Sequence, residues 1–166
     1  MKSKEAYTVS IGVLAVADTY LTATILPLPV WVTFIAWASF FILGGGTKGL
    51  FQSIVSNLIG VAISSLTLLA IASGGSSPIV VAIAVGIGSA LMVQASKFAT
   101  ISVLPAIVWG FASTVATSVA TAQPITMPAL NNPGLVAAAS LVLGGLFGFV
   151  SEALGEALTA KDTQLA

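Results

Sequence analysis

Along most of this chain apolar residues follow one another without the regular polar face of a surface helix, and the breaks between runs are prolines, glycines and small uncharged clusters. A run of about 20 apolar residues crosses a hydrocarbon core of about 30 Å at 1.5 Å rise per residue. Cutting the chain at its breaks predicts six such runs, at residues 6–26, 30–46, 49–72, 78–98, 101–122 and 135–158. "LPLP" stops the first, because Pro27 and Pro29 cannot continue a helix. Gly44, Gly45 and Gly46 close the second, "SGGSSP" closes the third, and Pro78 sits at the favoured first-turn position of the fourth. After the uncharged stretch "QPITMPALNNPG" the sixth run turns amphipathic through "SEALGEAL". The expected fold is all-α, a single transmembrane domain over residues 1–166 with six transmembrane helices. The second run, "VWVTFIAWASFFIL", is short, and a re-entrant hairpin is the alternative to a full crossing.

Charge sharpens the topology. Lysine and arginine collect on the cytoplasmic side, within about 15–20 residues of helix ends. With six crossings Lys2, Lys4, Lys48, Lys97 and Lys161 all fall on one side, and the loops facing away carry no charge. A hairpin at the second run would scramble that agreement. The pattern therefore predicts a multi-pass membrane protein with both termini cytoplasmic, and the N-terminal run reads as an anchor, not a removable signal.

A loose repeat runs through the sequence. "LPVWVTFIAWAS" and "LPAIVWGFAS" both open with Leu-Pro and both reach an aromatic-Ala-Ser triplet, Trp37-Ala38-Ser39 and Phe111-Ala112-Ser113. Two readings stay open, coincidence of apolar composition and duplication. Three helices is an odd number, so a duplication would yield two inverted three-helix repeats, an architecture of many transporters. In that alignment Gly86 or Gly88 takes the place of Asp18.

Composition excludes several classes. Apolar residues make up 57% of the chain and charged residues 6%, far below the roughly one quarter of a soluble domain. The formal net charge is zero, so nothing provides the basic patch of a nucleic-acid partner. Cys, His and Arg are absent, which removes thiol chemistry, imidazole relays, most transition-metal sites and the guanidinium fork suited to phosphate. "GGGTKG" follows no strand and is no phosphate cradle. Glu152 and Glu156 lie one turn apart where the sixth run meets the cytoplasmic interface, and solvation or pairing with Lys48 or Lys97 suits them better than a metal or catalytic dyad. No enzyme, catalytic residue, metal site or cofactor is expected.

The chemistry that remains is submerged. Asp18 lies about 18 Å into the first run, past the bilayer middle, where an ionised side chain costs something like 2.5–3.5 kcal/mol by insertion scales. It should face the bundle interior, a wet cavity or a subunit interface, with Thr22, Asn57 or fifth-run hydroxyls as partners. A protonated acid that glues helices together and an acid that serves transport are equally open readings. In the third run Ser53, Asn57, Gly60 and Ser64 share one helix face, and in the fifth Ser113, Thr117 and Thr121 do. Gly60, Gly144 and Gly148 suit close helix packing, Gly144 and Gly148 at the GxxxG spacing. The candidate solute path is therefore Asp18, Thr22, Phe34, Trp37, Asn57, Ser64, Ser113 and Thr117, with Phe34 and Trp37 as constricting aromatics or packing residues.

"LPVWVTFIAWASFFILGGGTKGLF" followed by "SNLIGVAI" resembles a family of small bacterial inner-membrane proteins of unknown function, to which the low-CO2-inducible plasma-membrane protein of green algae is similar. The likeness is clearest over residues 28–72. It implies a trimer and permeation of a small inorganic-carbon species such as CO2. Independently, a chain without arginine has little with which to hold an anion, which favours an uncharged solute. The expected function is a homo-oligomeric inner-membrane channel for a small uncharged molecule. A proton-coupled carrier using Asp18 and a non-transporting membrane scaffold are the alternatives.

Overall fold

The computed structural model describes residues 1–98 and 102–163, apart from the side chains of 160–163; Thr100, Ile101 and the Lys161 side chain lie outside that set. All regular structure among the described residues is helical: α1 (Ser3–Thr24), α2 (Val30–Ile42), α3 (Gly46–Gly74), α4 (Pro78–Ala95), α5 (Leu104–Thr121) and α6 (Pro133–Thr163). Five of them, all but α2, are long and apolar enough to cross a membrane. The chain is a multi-pass membrane protein.

The breakers act locally as their chemistry dictates. Pro29 is the N-cap of α2 and Pro78 occupies the first turn of α4. The second helix is shorter than the 30–46 run and the third is longer than 49–72. The cause is the glycine triplet: Gly44, Gly45 and Gly46 have φ of 90°, 68° and 61°. These left-handed conformations are easy for glycine. The turn is finished at Gly45, and Gly46 already opens α3. With 13 residues α2 covers about 20 Å, whereas α3 and α6, with 29 and 31, cover about 44 and 46 Å.

Successive helices alternate in direction. Ser10 of α1 meets Ser151 of α6, and Tyr7 lies against Gly155, so these two run antiparallel. Ser65 meets Gly134 while Ile54 meets Gly145, which sets α3 antiparallel to α6. Gly74 faces Val80 and Gly88 faces Thr67, which turns α4 against α3. α1 therefore runs with α3 and against α4. The turn at Gly45, the start of α1 and Glu152 meet at one end of the bundle, with Lys48 exposed beside them.

The most extensive interfaces are α3 on α5 and α2 on α6. Exchanging α1, α2 and α3 for α4, α5 and α6 leaves the whole pattern of helix neighbours unchanged: α1·α6 becomes α4·α3, α2·α3 becomes α5·α6, and α3·α6 maps onto itself. The two halves are thus related by a pseudo-two-fold, and the alternation makes the second inverted. Its register is visible at two crossings. Gly60 of α3 sits against the backbone of Ile107 in α5, and Gly144 of α6 against the backbone of Thr33 in α2. That register equates Trp37 with Phe111 and Ser39 with Ser113, and it equates the first residues of α2 and α5, Val30 and Leu104. The two Leu-Pro pairs are out of step with it.

Candidate functional site

Two clusters of buried polar side chains stand out, one joining α1 to α2 and one joining α2 to α3. Asp18 is fully buried. Its Oδ2 lies 2.5 Å from Thr33 Oγ1, and the same hydroxyl lies 2.6 Å from the carbonyl of Val30, in the first turn of α2. Asp18 Oδ1 has no hydrogen-bond partner. Thr22 does not reach the carboxyl group; its hydroxyl donates to the backbone oxygens of Asp18 and Thr19, within its own helix. Nearly two turns of α2 further on, a second cluster joins Ser39, Ser53 and Asn57. Ser53 Oγ donates to Ser39 Oγ at 2.8 Å, and Asn57 Nδ2 lies 3.3 and 3.2 Å from the Ser39 and Ser53 hydroxyls. Asn57 Oδ1 is left over.

The pseudo-two-fold explains a further oddity. Ser113 is the counterpart of Ser39, and the positions equivalent to Ser53 and Asn57 are Ala137 and Leu141, both fully buried and apolar. Ser113 Oγ accordingly has no partner, and neither has Ser64 Oγ. An unpaired buried polar group costs about 1–3 kcal/mol, and four such atoms occur among the described residues. At these positions the first half is polar and the second apolar. The counterpart of Asp18 also differs from the sequence alignment: Gly88 packs on Thr67 and Phe111, just as Ser10 bonds Ser151, which takes the Trp37 indole hydrogen. Gly88 thus corresponds to Ser10 and not to Asp18.

The remaining residues divide between interior and surface. Phe34 is 40% exposed and stacks on Trp37 at 5.8 Å with ring planes 3° apart. Trp37 is buried; its Nε1 donates to Ser151 Oγ at 2.9 Å, which donates on to the Gly148 carbonyl. Trp37 also stacks on Phe147 of α6 at 5.7 Å and so fills the α2–α6 seam, with Phe34 on its outer side. Thr117 is buried and donates to the Ser113 carbonyl. A Cβ on Gly148 would come within 2.8 Å of the Phe40 ring. Glu152 is neither simply solvated nor paired with lysine. Its Oε2 accepts the Gly46 amide at 2.6 Å and so caps the first turn of α3, where the helix dipole favours an anion.

Sequence reasoning missed Thr33, which receives the lone acid, and the pairing of Ser39 with the α3 stripe. Thr33 carried no signal, because hydroxyls are common in every run; Ser39 was visible as part of its triplet. Three recesses mark the surface, one of them a shallow apolar hollow of about 560 Å³ along Ala15, Val16, Thr19, Tyr20 and Ala23 of α1. One of about 340 Å³ is lined by Tyr7, Ile11, Phe41, Gly44, Gly45 and Glu152. Another, about 870 Å³, is apolar and lies between the 26–28 segment, Leu130 and the first half of α6. No group of three or more His, Cys, Asp or Glu able to hold a metal occurs among the described residues.

No curated protein and no solved structure matches the chain. The model of the family described as "Protein of unknown function (DUF1097)" matches residues 8–156, from α1 to the late turns of α6, and the chain belongs to that family.

Proposed function

We propose that the protein is a homo-oligomeric facilitator for a small uncharged solute, seated in the bacterial inner membrane with both termini in the cytoplasm. The observation that carries this reading is the set of four unpaired buried polar atoms, on Asp18, Asn57, Ser64 and Ser113, within an inverted repeat of membrane-crossing helices. Groups left without partners inside a bundle offer hydrogen bonds to something that passes or binds, and sites between such repeats are where many transporters hold their ligands. The chain has no arginine, and its lysines stand at helix ends, so the interior offers an anion no counter-charge. Inorganic carbon in the form of CO2 and a trimeric assembly follow from the likeness to the algal low-CO2-inducible protein and are part of the proposal. The broad exposed faces of α1 and α4 supply surface for self-association. One observation favours a second reading, proton-coupled transport: Asp18 Oδ1 is buried and free to change partner.

Flux into proteoliposomes tests both. Reconstituted protein should raise the permeability to at least one of CO2, urea and water above that of empty vesicles. Asp18→Asn should keep that flux in a passive facilitator and abolish gradient-driven uptake in a proton-coupled one. Permeability equal to empty vesicles for all three solutes would leave the scaffold reading in place of both.

A further inference from the structure

Thr33 makes two short contacts with one proton. Its Oγ1 lies 2.5 Å from Asp18 Oδ2 and 2.6 Å from the Val30 carbonyl oxygen. Oxygen pairs at 2.5–3.0 Å need a hydrogen between them. A threonine hydroxyl carries a single hydrogen and a carbonyl oxygen none. A hydrogen shared between two acceptors leaves at least one contact long, as at Thr22, whereas both contacts here are short; they point to two protons, and the second has one source, the carboxyl group itself.

We infer that Asp18 is a proton-binding site, holding its proton on Oδ2 and donating it to Thr33 Oγ1, while Thr33 passes its own hydrogen to the first carbonyl of α2. The surroundings agree with the count. An ionised carboxylate offers about four acceptor positions, and here it would find one donor. The N-cap of α2 is Pro29, which has no N–H, and no side chain caps that helix, so Asp18 does not draw on the helix terminus as Glu152 does. No cation faces it. α1 packs on α2 and α6; α2 has no titratable side chain, and on α6 Glu152 and Glu156 stand at the opposite end of α1, near Tyr7 and Gly155. On α1 itself Lys4, Glu5 and Tyr7 lie at that same far end, and Tyr20 is 66% exposed. The neutral acid also accounts for Oδ1: it is the carbonyl oxygen of a carboxylic acid, which tolerates a missing partner far better than a charged oxygen does. Loss of the proton forces a choice, because Thr33 can then serve either the carboxylate or Val30 but not both. The inference stands whichever solute crosses, and whether or not one does.

Infrared spectroscopy of the full chain in lipid nanodiscs reads the proton directly. The chain has two aspartates, Asp18 and Asp162, so Asp162→Asn protein made by cell-free synthesis with aspartate carrying ¹³C at the side-chain carboxyl has its one labelled carboxyl group at Asp18. At pH 7 the labelled protein should show an isotope-shifted C=O stretch of a protonated carboxyl group. Thr33→Val should move that band to higher frequency as its acceptor is lost, and Thr33→Ser should restore it. An isotope-sensitive carboxylate stretch at pH 7 in place of the carboxylic band overturns the proposal. A carboxylic band indifferent to Thr33→Val overturns the relay. Both outcomes are independent of any flux measurement.

Discussion

Asp18 and Gly60 show the two ways in which a single position governs this protein. At Gly60 and Gly144 backbones cross so closely that a Cβ would run into the Ile107 carbonyl and into the Thr33 backbone. Gly60→Ala and Gly144→Ala should each therefore lose about 1–3 kcal/mol through overpacking, whereas Gly12→Ala, with nothing within 4 Å, should lose none; midpoints of unfolding in mixed micelles separate the three. Asn57→Leu copies what the second half already does at Leu141. It deletes an amide whose oxygen is unpaired and leaves Ser39 and Ser53 bonded to each other, so its expected cost is below about 1 kcal/mol, and a fall in solute flux without a fall in stability would mark Asn57 as part of the path. The depth of Asp18 was legible because a carboxyl group in an apolar run stands out. Its partner was not, since Thr33 is one hydroxyl among many and meets Asp18 through tertiary packing.

Among the elements, the turn between α2 and α3 depends on a residue more than 100 positions away. Glu152 closes the first turn of α3 and fills the space beside Gly45, where any Cβ would strike its carboxyl group. Glu152→Ala should cost about 0.5–2 kcal/mol, the range for losing a helix cap, and Gly45→Ala should cost more, since it adds a clash to a positive φ of 68°; guanidine-free thermal melts followed by tryptophan emission, with Trp37 buried on the same helix, give the order. Helix existence was legible from apolar run length, and so were the stops at Pro27, Pro29 and Pro78. The shortening of α2 was not, because three glycines mark a turn without saying which of them belongs to the next helix. The cap was equally hidden: a Glu near a helix end reads as solvated until the fold brings a free amide to it.

For the whole molecule the inverted relation between halves has a direct test. The chain contains no cysteine, so single cysteines need no altered background. Replacements at Lys48 and Lys97 should react with an impermeant maleimide from one face of the membrane, and replacements at Ser76 and Gln123 from the other. Labelling of Lys48→Cys and Ser76→Cys from the same face would end the six-crossing topology. The likeness of the two halves was half legible. The aromatic-Ala-Ser triplets lie in the true register, Trp37 on Phe111 and Ser39 on Ser113, while the more conspicuous Leu-Pro pairs are out of step, because helix starts tolerate proline at several positions. The brevity of α2 reaches beyond the protein to its solvent. Phe34 and Ile42 face outward from a helix about 20 Å tall, roughly 10 Å short of the usual hydrocarbon thickness, so lipid along that side has to dimple inward. Short-chain bilayers relieve this mismatch, and the protein should melt higher in twelve- or fourteen-carbon phosphatidylcholine than in eighteen-carbon, with a preference for thin membrane regions as its cellular counterpart.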